Sequence, residues 1–448
     1  MKLNHSKTRT LVALLLAAIT VIALALPVFA DDDDDERLTV DHCVSAYLYN
    51  FENDEVLFEY NPSTEVHPAS TAKLMTAIVV FDEFAGRLDT EITVTQEMLY
   101  EVSGNKIGFS VGEVVTVEQM LYCMLVNSAN DAAIILAHAT AGDTQSFVRM
   151  MNEKASWLGA FNTYYTNPTG MHDNAMVTTA RDTAIIAKYA YAIDGLVEMT
   201  AMPKYVMDAT NMNDYRSIYN RNGLVSRYYL SDYFYSRALG LNAGATSQGS
   251  YAVCGVAEDE AQGLTYLAVV LGAEEDERTG KLYSFANAIK MFDWAFSKYG
   301  MRTVLPSSRA ICELPVNLSA TLDYVTLVPE EDITVFLPMS VDIAKDIRYS
   351  YNTFSDSLDA PIESGDVAGT ITVLYGDEIL GTCPLVTTSS ITRSEFLNFL
   401  AKVKDFTKGR FFRGMIIAVI VLSIGYVLLK ASLREKKLRR LGGNINRK

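Results

Sequence analysis

The chain has 448 residues, of which 49% are hydrophobic, and this length suits two or three folded units with sizeable cores. Its formal net charge of -16 argues against nucleic acid as a partner. The five histidines and five cysteines show no metal-ligand spacing, so we expect no metal and no cofactor. Widely spaced cysteines in odd number predict free thiols rather than a disulfide framework, although a pair such as Cys312–Cys383 stays open.

Apolar runs beside positive charges lie at both ends of the chain. Residues 1–30 place basic residues before an uncharged run and end on Ala30, which predicts a secretory signal peptide; the alternative is a retained N-terminal anchor. The run at 413–430 precedes the basic tail 431–448 and predicts one transmembrane helix rather than a buried core helix. We therefore expect an extracytoplasmic ectodomain held in the cell membrane by a single pass, with the tail in the cytoplasm.

The segments between these ends alternate between strand-like and helix-like patterns. A hairpin is predicted over residues 46–61, and the segment after Ser70 is apolar nearly all round, which predicts a buried helix. Two helices are predicted next, at 117–126 and 132–139. Two paired strands follow at 251–256 and 264–272, and a closing helix follows at 285–299. Short strand-like runs after residue 301 predict a separate β-rich unit.

Ser70 and Lys73 form an SxxK motif at the start of the predicted buried helix. Side chains three residues apart share a helix face, so we expect the Lys73 amine one turn from the Ser70 hydroxyl. Burial and the positive end of the helix disfavour an ammonium, and a neutral amine can accept the Ser70 proton and activate the nucleophile. The same SxxK spacing also occurs at Ser103–Lys106. The alternative interpretation of Ser70 and Lys73 is a helix-capping serine beside a surface lysine.

Ser128 and Asn130 form an SxN motif at the break between two predicted helices. A hydroxyl at this position can relay a proton to a leaving amine, and the Asn130 amide can orient Lys73 and bind a substrate carbonyl. The alternative is a helix terminus capped by a serine or an asparagine.

The segments around these motifs resemble the D-alanyl-D-alanine carboxypeptidases, which are low-molecular-mass penicillin-binding proteins. The resemblance is carried by His67–Ala77, Ser128–Ala132, Asn167–Gly170 and Thr178–Asp182, and further by Asp293–Phe296 and Ala360–Gly369. It implies an α+β fold with a DD-peptidase/β-lactamase-like antiparallel sheet flanked by helices and a C-terminal β-rich domain, to which the terminal apolar run adds one transmembrane helix. Together these predictions divide the chain into a signal peptide (1–30), a catalytic domain (31–300), a β-rich accessory domain (301–390), a juxtamembrane connector (391–412), the transmembrane helix (413–430) and a cytoplasmic tail (431–448).

The resemblance also implies a role for each motif residue. Ser70 is expected to be acylated by a peptidoglycan stem peptide that ends in D-Ala-D-Ala, and by β-lactams as covalent inhibitors. Lys73 is the expected base, and Ser128 and Asn130 complete the proton relay. The backbone N–H groups of Ser70 and Ala245 would form the oxyanion hole. Acylation followed by hydrolysis removes the terminal D-Ala.

The third motif of the family, Lys-Thr-Gly, is replaced here by Asn242-Ala243-Gly244. Gly244 still lets the strand approach a substrate closely, but Asn242 supplies no cation and Ala243 supplies no hydroxyl for the substrate carboxylate. Each such hydrogen bond to a charged group is worth about 1.5–3 kcal/mol. Arg278 resembles an arginine that the family carries after its last strand, so it is a candidate carboxylate ligand; a solvated loop arginine is the alternative.

Three functions are therefore weighed. The first is a membrane-anchored carboxypeptidase that trims stem peptides with altered carboxylate recognition. The second, motivated by the altered third motif, is a catalytically impaired module that binds peptidoglycan or a protein partner. The third, a β-lactamase, is disfavoured because the β-rich extension and membrane segment fit it poorly, and because no acid after Asn130 resembles the deacylating glutamate of class A enzymes.

Overall fold

The structure is a computed structural model that describes residues 37–246, 248 and 250–442, so the predicted signal peptide at 1–30 lies outside the described residues. The α-helices are α1 Ala72–Glu83, α2 Gln96–Tyr100, α3 Val117–Asn127, α4 Asn130–Ala141, α5 Thr144–Leu158, α6 Ala180–Tyr191, α7 Leu196–Ala201, α8 Tyr283–Lys298, α9 Ile343–Asp346, α10 Glu395–Lys408 and α11 Arg410–Gly442. The strands of the first half are β1 Ser45–Asn50, β2 Glu55–Tyr60, β3 Glu91–Thr93, β4 Val114–Thr116, β5 Lys204–Met207, β6 Arg216–Tyr219, β7 Ala238–Ala245, β8 Tyr251–Asp259 and β9 Leu264–Ala273. The later strands are β10 Tyr299–Leu305, β11 Cys312–Asn317, β12 Tyr324–Pro329, β13 Ile333–Pro338, β14 Ile347–Thr353, β15 Leu358–Asp359, β16 Val367–Tyr375 and β17 Glu378–Thr387.

A five-stranded antiparallel sheet, in the order β2-β1-β9-β8-β7, separates two hydrophobic cores. Successive side chains of a strand point to opposite faces. In β9, Leu267 and Val269 therefore join the core formed with helices α1, α3, α4, α5 and α6, while Ala268 and Val270 join the core formed with α8. Strand β7 pairs with β8 alone, so it is an edge strand that borders the helical core.

The helical core explains why the segment after Ser70 is apolar nearly all round. Every residue from Ala72 to Phe81 in α1 is buried, because α1 packs against α4, α5 and α6 as well as α3. Helix α3 begins with the capping residue Thr116, whose hydroxyl accepts the Gln119 N–H, and it ends at Asn127. Helix α4 begins only three residues later, at Asn130, so the break between the two helices consists of Ser128 and Ala129.

The chain after Tyr299 forms a β-rich unit with its own hydrophobic core. Six strands pair in the order β14-β16-β17-β12-β11-β15, and β10 pairs with β13. Leu327, Ile371 and Leu385 are fully buried in that core. The structure therefore confirms the C-terminal β-rich domain of the predicted fold.

Helices α10 and α11 follow the β-rich unit. Helix α11 contains one candidate membrane span, Arg410–Lys437, whose apolar side chains are exposed and which is long enough to cross a bilayer. This segment contains the predicted transmembrane helix at 413–430.

All five cysteines are free, so Cys312 and Cys383 are not joined. Cys123, Cys254 and Cys383 are buried, while Cys43 and Cys312 are half-buried. Burial raises the pKa of the Cys43 thiol to about 11 and also raises those of Cys123, Cys254 and Cys312. These four thiols are therefore protonated at neutral pH, which is the less nucleophilic form of a cysteine.

Candidate active site

Ser70 lies on a short 3-10 turn, Ala69–Thr71, directly before α1. Ala69 has a φ of 51°, in the left-handed region, where a residue other than glycine costs of order 1–3 kcal/mol and usually persists only where its surroundings enforce it. Gly170 packs against this turn, since a Cβ at position 170 would lie 1.8 Å from the Ala69 carbonyl oxygen. Only glycine fits there, so the serine turn and the segment Asn167–Gly170 hold one another in place.

The Lys73 side chain is fully buried beneath Ser70. Its Nζ lies 3.2 Å from Ser70 Oγ and donates a hydrogen bond to the Thr169 carbonyl at 2.6 Å. Burial lowers the pKa of the Lys73 amine from 10.5 to about 7, because the charged ammonium loses its hydration. A substantial fraction of the amine is therefore neutral at physiological pH, and its lone pair can accept the Ser70 proton.

The segment Asn167–Gly170 presents the Thr169 carbonyl to this amine. The Asn167 side-chain oxygen accepts the backbone N–H groups of Thr169 at 3.2 Å and Met171 at 3.1 Å, which closes the turn. Thr76 of α1 donates its hydroxyl to the Pro168 carbonyl at 2.7 Å. The amine is thus oriented by a turn that is tied to the same helix.

Ser128 occupies the break between α3 and α4 in a left-handed conformation, with a φ of 57°. Its backbone N–H donates to the Cys123 carbonyl and closes α3, and Asn130 then begins α4. Both residues line the same cavity as Ser70. The Asn130 Nδ2 donates to the Ser103 carbonyl at 2.7 Å, whereas Lys73 is held by the Thr169 carbonyl.

The second SxxK match, Ser103–Lys106, forms the loop that fixes the SxN motif. Asn105 Nδ2 donates to the Asn127 carbonyl at 2.5 Å and to the Ser128 carbonyl at 3.2 Å. The Asn105 carbonyl in turn accepts the Asn130 N–H at 2.8 Å. Sequence reasoning missed this role, because the sequence shows only a polar loop and the partners are 22 to 25 positions further along the chain.

Strand β7 carries the third motif along the other side of Ser70. A Cβ on Gly244 would lie 2.3 Å from the Ser70 Cβ, so only glycine fits beside the nucleophile. Ala243 and Ala245 line the cavity as well. Asn242 is only 2% exposed and does not line it, and neither polar atom of its side chain has a hydrogen-bond partner among the described residues.

A cavity of about 360 Å³ opens over Ser70. Within the described part of its lining, Arg221 is the only side chain with a permanent charge. Its guanidinium lies 5.2 Å from the centroid of the Tyr229 ring, and its backbone N–H donates to the Val126 carbonyl at 2.9 Å. The polar turn Asn220–Gly223 was the available sequence signal, but it does not by itself point to the cavity.

His172 belongs to the described lining of the cavity, whereas Arg278 does not. His172 lines it and packs edge-on against His67 with ring centroids 4.2 Å apart; neither His172 ring nitrogen has a partner in the described structure. Arg278 lies on an exposed turn and is absent from the described lining, with its backbone N–H bonded to Asp276. The structure thus brings together Ser70, Lys73, Ser128, Asn130, Ala243, Gly244 and Ala245, but not Asn242 or Arg278.

Comparison with known proteins gives two family matches and several relatives. Residues 38–275 match the D-alanyl-D-alanine carboxypeptidase family, and residues 310–393 match the penicillin-binding protein 5, C-terminal domain. The D-alanyl-D-alanine carboxypeptidase DacF of Bacillus subtilis (strain 168) is 27% identical over 405 residues, which cover 89% of this chain and 99% of that protein. The D-alanyl-D-alanine carboxypeptidase DacA of Escherichia coli (strain K12) is 27% identical over 372 residues, which cover 81% and 86%.

Solved structures agree with these matches. Penicillin binding protein 6B from Escherichia coli superposes with a TM-score of 0.57 at 21% identity, over 79% of this chain and 98% of that chain. The D-alanyl-D-alanine carboxypeptidase from Mycobacterium tuberculosis H37Rv is 27% identical with a TM-score of 0.51, over 58% of this chain and 92% of that one. The predicted fold class and the family resemblance are therefore confirmed.

Proposed function

The chain belongs to the D-alanyl-D-alanine carboxypeptidase family, and from this premise we propose that it is a membrane-anchored enzyme that trims peptidoglycan stem peptides through an acyl-enzyme at Ser70. Family membership makes it a serine-type D-Ala-D-Ala carboxypeptidase; the proposal adds the acting residues, the substrate and the anchor. The observation that carries it is a buried amine at Lys73, with a pKa lowered to about 7, lying 3.2 Å from the Ser70 hydroxyl.

The Lys73–Ser70 contact supports the first of the following steps, and the family resemblance supplies the others. Ser70 Oγ attacks the carbonyl carbon of the penultimate D-Ala while its proton passes to Lys73 Nζ. The backbone N–H groups of Ser70 and Ala245 stabilise the oxyanion. The C–N bond breaks as the leaving amine takes a proton from the Ser128 hydroxyl, which is resupplied from the Lys73 ammonium. Water then hydrolyses the ester, with Lys73 again accepting a proton.

Recognition of the substrate carboxylate is the altered part of this scheme. The cation and hydroxyl of the family motif are missing, and Asn242 is buried away from the cavity. Arg221 supplies a guanidinium, which pairs well with a carboxylate. Arg221 and Ser128 both line the cavity, and the Arg221 backbone is bonded to Val126, two residues before Ser128, which supports a place for Arg221 near the leaving group. We propose that Arg221, rather than Arg278, holds the carboxylate.

Helix α11 supports the proposed anchor. Its segment Arg410–Lys437 is apolar and exposed, and the basic residues that follow favour the cytoplasmic side. In this topology the catalytic unit faces the cell wall, where its substrate lies. A cysteine-accessibility assay with one new cysteine before α11 and one after Lys437 tests it, since only the first should react with a membrane-impermeant reagent.

Acylation of Ser70 tests the catalytic proposal. The full chain in detergent, incubated with benzylpenicillin, should gain the mass of one β-lactam on the peptide containing Ser70, while Ser70→Ala gains none. It should also release D-Ala from a pentapeptide that ends in D-Ala-D-Ala. A folded protein that gains no adduct would rule out the serine mechanism.

The same experiment separates the two other functions. A stable adduct without D-Ala release would favour a catalytically impaired binding module, which the unpaired Asn242 side chain motivates. An adduct that is hydrolysed within seconds, with release of the opened β-lactam, would favour a β-lactamase.

A further inference from the structure

A groove lies between helices α1 and α5, outside the active-site cavity. Its volume is about 470 Å³. Val79 and Met150 supply apolar surface, and the remaining lining is polar or aromatic: Asp82, Glu83, Glu153, Lys154 and Trp157. The described lining of the cavity over Ser70 shares none of these residues, so the groove, which we call the Trp157 groove, is a separate space.

Trp157 is 70% exposed, although its ring is held by two neighbours. The ring meets Tyr189 of α6 edge to face, with the centroids 5.8 Å apart. The Lys154 ammonium lies 4.2 Å from the centroid of the Trp157 ring and 4.4 Å from that of Tyr189. The indole is therefore pre-positioned, and its exposed surface can take a ligand with little loss of side-chain freedom.

The position for a cation beside these rings is already occupied. Lys154 Nζ pairs with the Asp82 carboxylate at 2.7 Å and donates to the Tyr189 hydroxyl at 3.1 Å. Only 16% of the Lys154 side chain is exposed. A cationic ligand would have to compete with this ammonium for the same rings and the same carboxylate, so the groove does not favour a cation.

The charge of the groove argues against an anion as well. Asp82, Glu83 and Glu153 contribute three carboxylates to a lining that contains one ammonium, and all three residues are exposed. Such a surface repels an anionic ligand such as a phosphate polymer. A neutral ligand with many hydroxyls meets neither objection, because carboxylates accept O–H donors and the apolar face of a sugar ring can cover an indole.

We propose that the Trp157 groove binds the glycan strand of peptidoglycan, with an amino sugar stacked on Trp157 and its hydroxyls donating to Glu83 and Glu153. This inference rests on the proposed function, because that function places the chain beside the sugar polymer that carries the stem peptides. The volume of the groove lies within the usual range of about 300–1,000 Å³ for ligand pockets. A protein partner usually needs about 800 Å² of buried surface on each side.

The position of the groove relates strand binding to catalysis. Helix α1 links Lys73 at the active site to Asp82 in the groove, which is about 14 Å along the helix axis. A stem peptide of five residues spans at most about 17 Å. The two lengths are similar, so a strand held in the groove raises the local concentration of stem peptides near Ser70.

Direct binding is tested with the full-length Ser70→Ala chain in a detergent that has no sugar head group. The probe is glycan strands freed of stem peptides by an amidase, and binding is measured by isothermal titration calorimetry. We expect saturable binding, which Trp157→Ala in the same chain should weaken about ten- to a hundredfold because the stacked surface is lost. Trp157→Phe keeps an aromatic ring and should weaken binding less. The matched control Tyr324→Ala, 58% exposed on the β-rich unit, should leave the affinity unchanged.

Turnover gives a second readout. The chain with Ser70 intact is compared on purified sacculi that carry pentapeptide stems and on a soluble D-Ala-D-Ala pentapeptide, by release of D-Ala. Trp157→Ala should lower the ratio of the two rates, sacculi to pentapeptide, about three- to tenfold, because only the sacculi contain the glycan. An equal loss on both substrates would show that Trp157 supports only the fold, and it would overturn the inference.

The outcomes separate this inference from the proposed function. An absence of saturable glycan binding, or binding that Trp157→Ala leaves unchanged, overturns the inference and leaves the proposed function standing. Binding that weakens steeply as salt is raised assigns the groove to a charged ligand and overturns the inference too. Glycan binding by a chain that releases no D-Ala from either substrate overturns the proposed function alone.

Discussion

Ser70 stands between two walls that differ in how completely their polar groups are paired. The helical wall consists of Lys73 and Asn130 with the loop carbonyls of Ser103 and Thr169; its amine and its amide donate to those carbonyls at 2.6 and 2.7 Å. The strand wall is the segment 242–245 of β7, where both polar atoms of the Asn242 side chain lack a partner among the described residues.

The difference in pairing between the two walls corresponds to two tasks of one active site, proton transfer and recognition of the substrate carboxylate. Proton transfer needs fixed distances between a few groups, and the helical wall supplies them through backbone carbonyls on two tightened loops. Carboxylate recognition needs only a positive charge within reach, which a different element can provide. We therefore infer that acyl transfer is retained on the helical wall, while recognition has moved from the strand wall to Arg221.

The largest expected effect tests whether the strand wall still shapes the nucleophile. Gly244→Ala should lower the acylation rate with a fluorescent penicillin about 100-fold, because its Cβ would lie 2.3 Å from the Ser70 Cβ and displace the serine. The control Gly300→Ala places a Cβ 3.2 Å from the flexible end of Met339 and should stay within about twofold. An unchanged rate in Gly244→Ala would mean that β7 no longer bounds the reacting atoms.

Arg221→Gln tests whether recognition has moved. It should lower kcat/KM for a D-Ala-D-Ala peptide about ten- to a hundredfold, because one charge-assisted contact is lost. The loss should shrink for the same peptide with an amidated C-terminus. Arg278→Gln is the matched control and should stay within about twofold, since Arg278 is absent from the described lining of the cavity. The opposite pattern would assign the carboxylate to Arg278.

The sequence predicted the helical wall better than the strand wall for a physical reason. Ser70 and Lys73 lie three residues apart, and this spacing predicted that their side chains would meet. The helix that follows is apolar nearly all round, and this pattern predicted its burial. The hairpin, the paired strands and the closing helix were likewise carried by local periodicity.

Residues whose positions depend on hydrogen-bond partners far away in the chain could not be predicted from the sequence. Arg221 reaches the cavity because its turn is bonded to α3, and Thr169 orients an amine that is 96 positions away in the chain. The loop at Ser103–Lys106 shows the same limit, because its SxxK pattern is a chance match and gives no sign that its backbone carbonyls hold Asn130. One sequence contains no signal for such contacts until the fold is known.

A smaller effect concerns the protonation state of Lys73 in the helical wall. The pKa of Lys73 is lowered to about 7, so the amine is mostly charged at pH 6 and mostly neutral at pH 8. Only the neutral form accepts the Ser70 proton, so the acylation rate should rise about tenfold from pH 6 to pH 8, with its midpoint near 7. Circular dichroism at both pH values controls for unfolding. A flat profile between these values would show that another group takes the proton.

The smallest expected effect concerns the unpaired amide of the strand wall. A buried polar group without a partner costs about 1–3 kcal/mol, so Asn242→Leu should raise the unfolding temperature of the catalytic unit by several degrees, at about 2–4 °C per kcal/mol. Asn220→Leu is the matched control and should lower it, because the Asn220 amide donates to the Thr200 and Met202 carbonyls at 2.9 and 2.8 Å. If Asn242→Leu also lowers the unfolding temperature, the Asn242 amide is satisfied in the folded protein. The strand wall would then be as fully paired as the helical wall, and the proposed relocation of carboxylate recognition would rest on Arg221 alone.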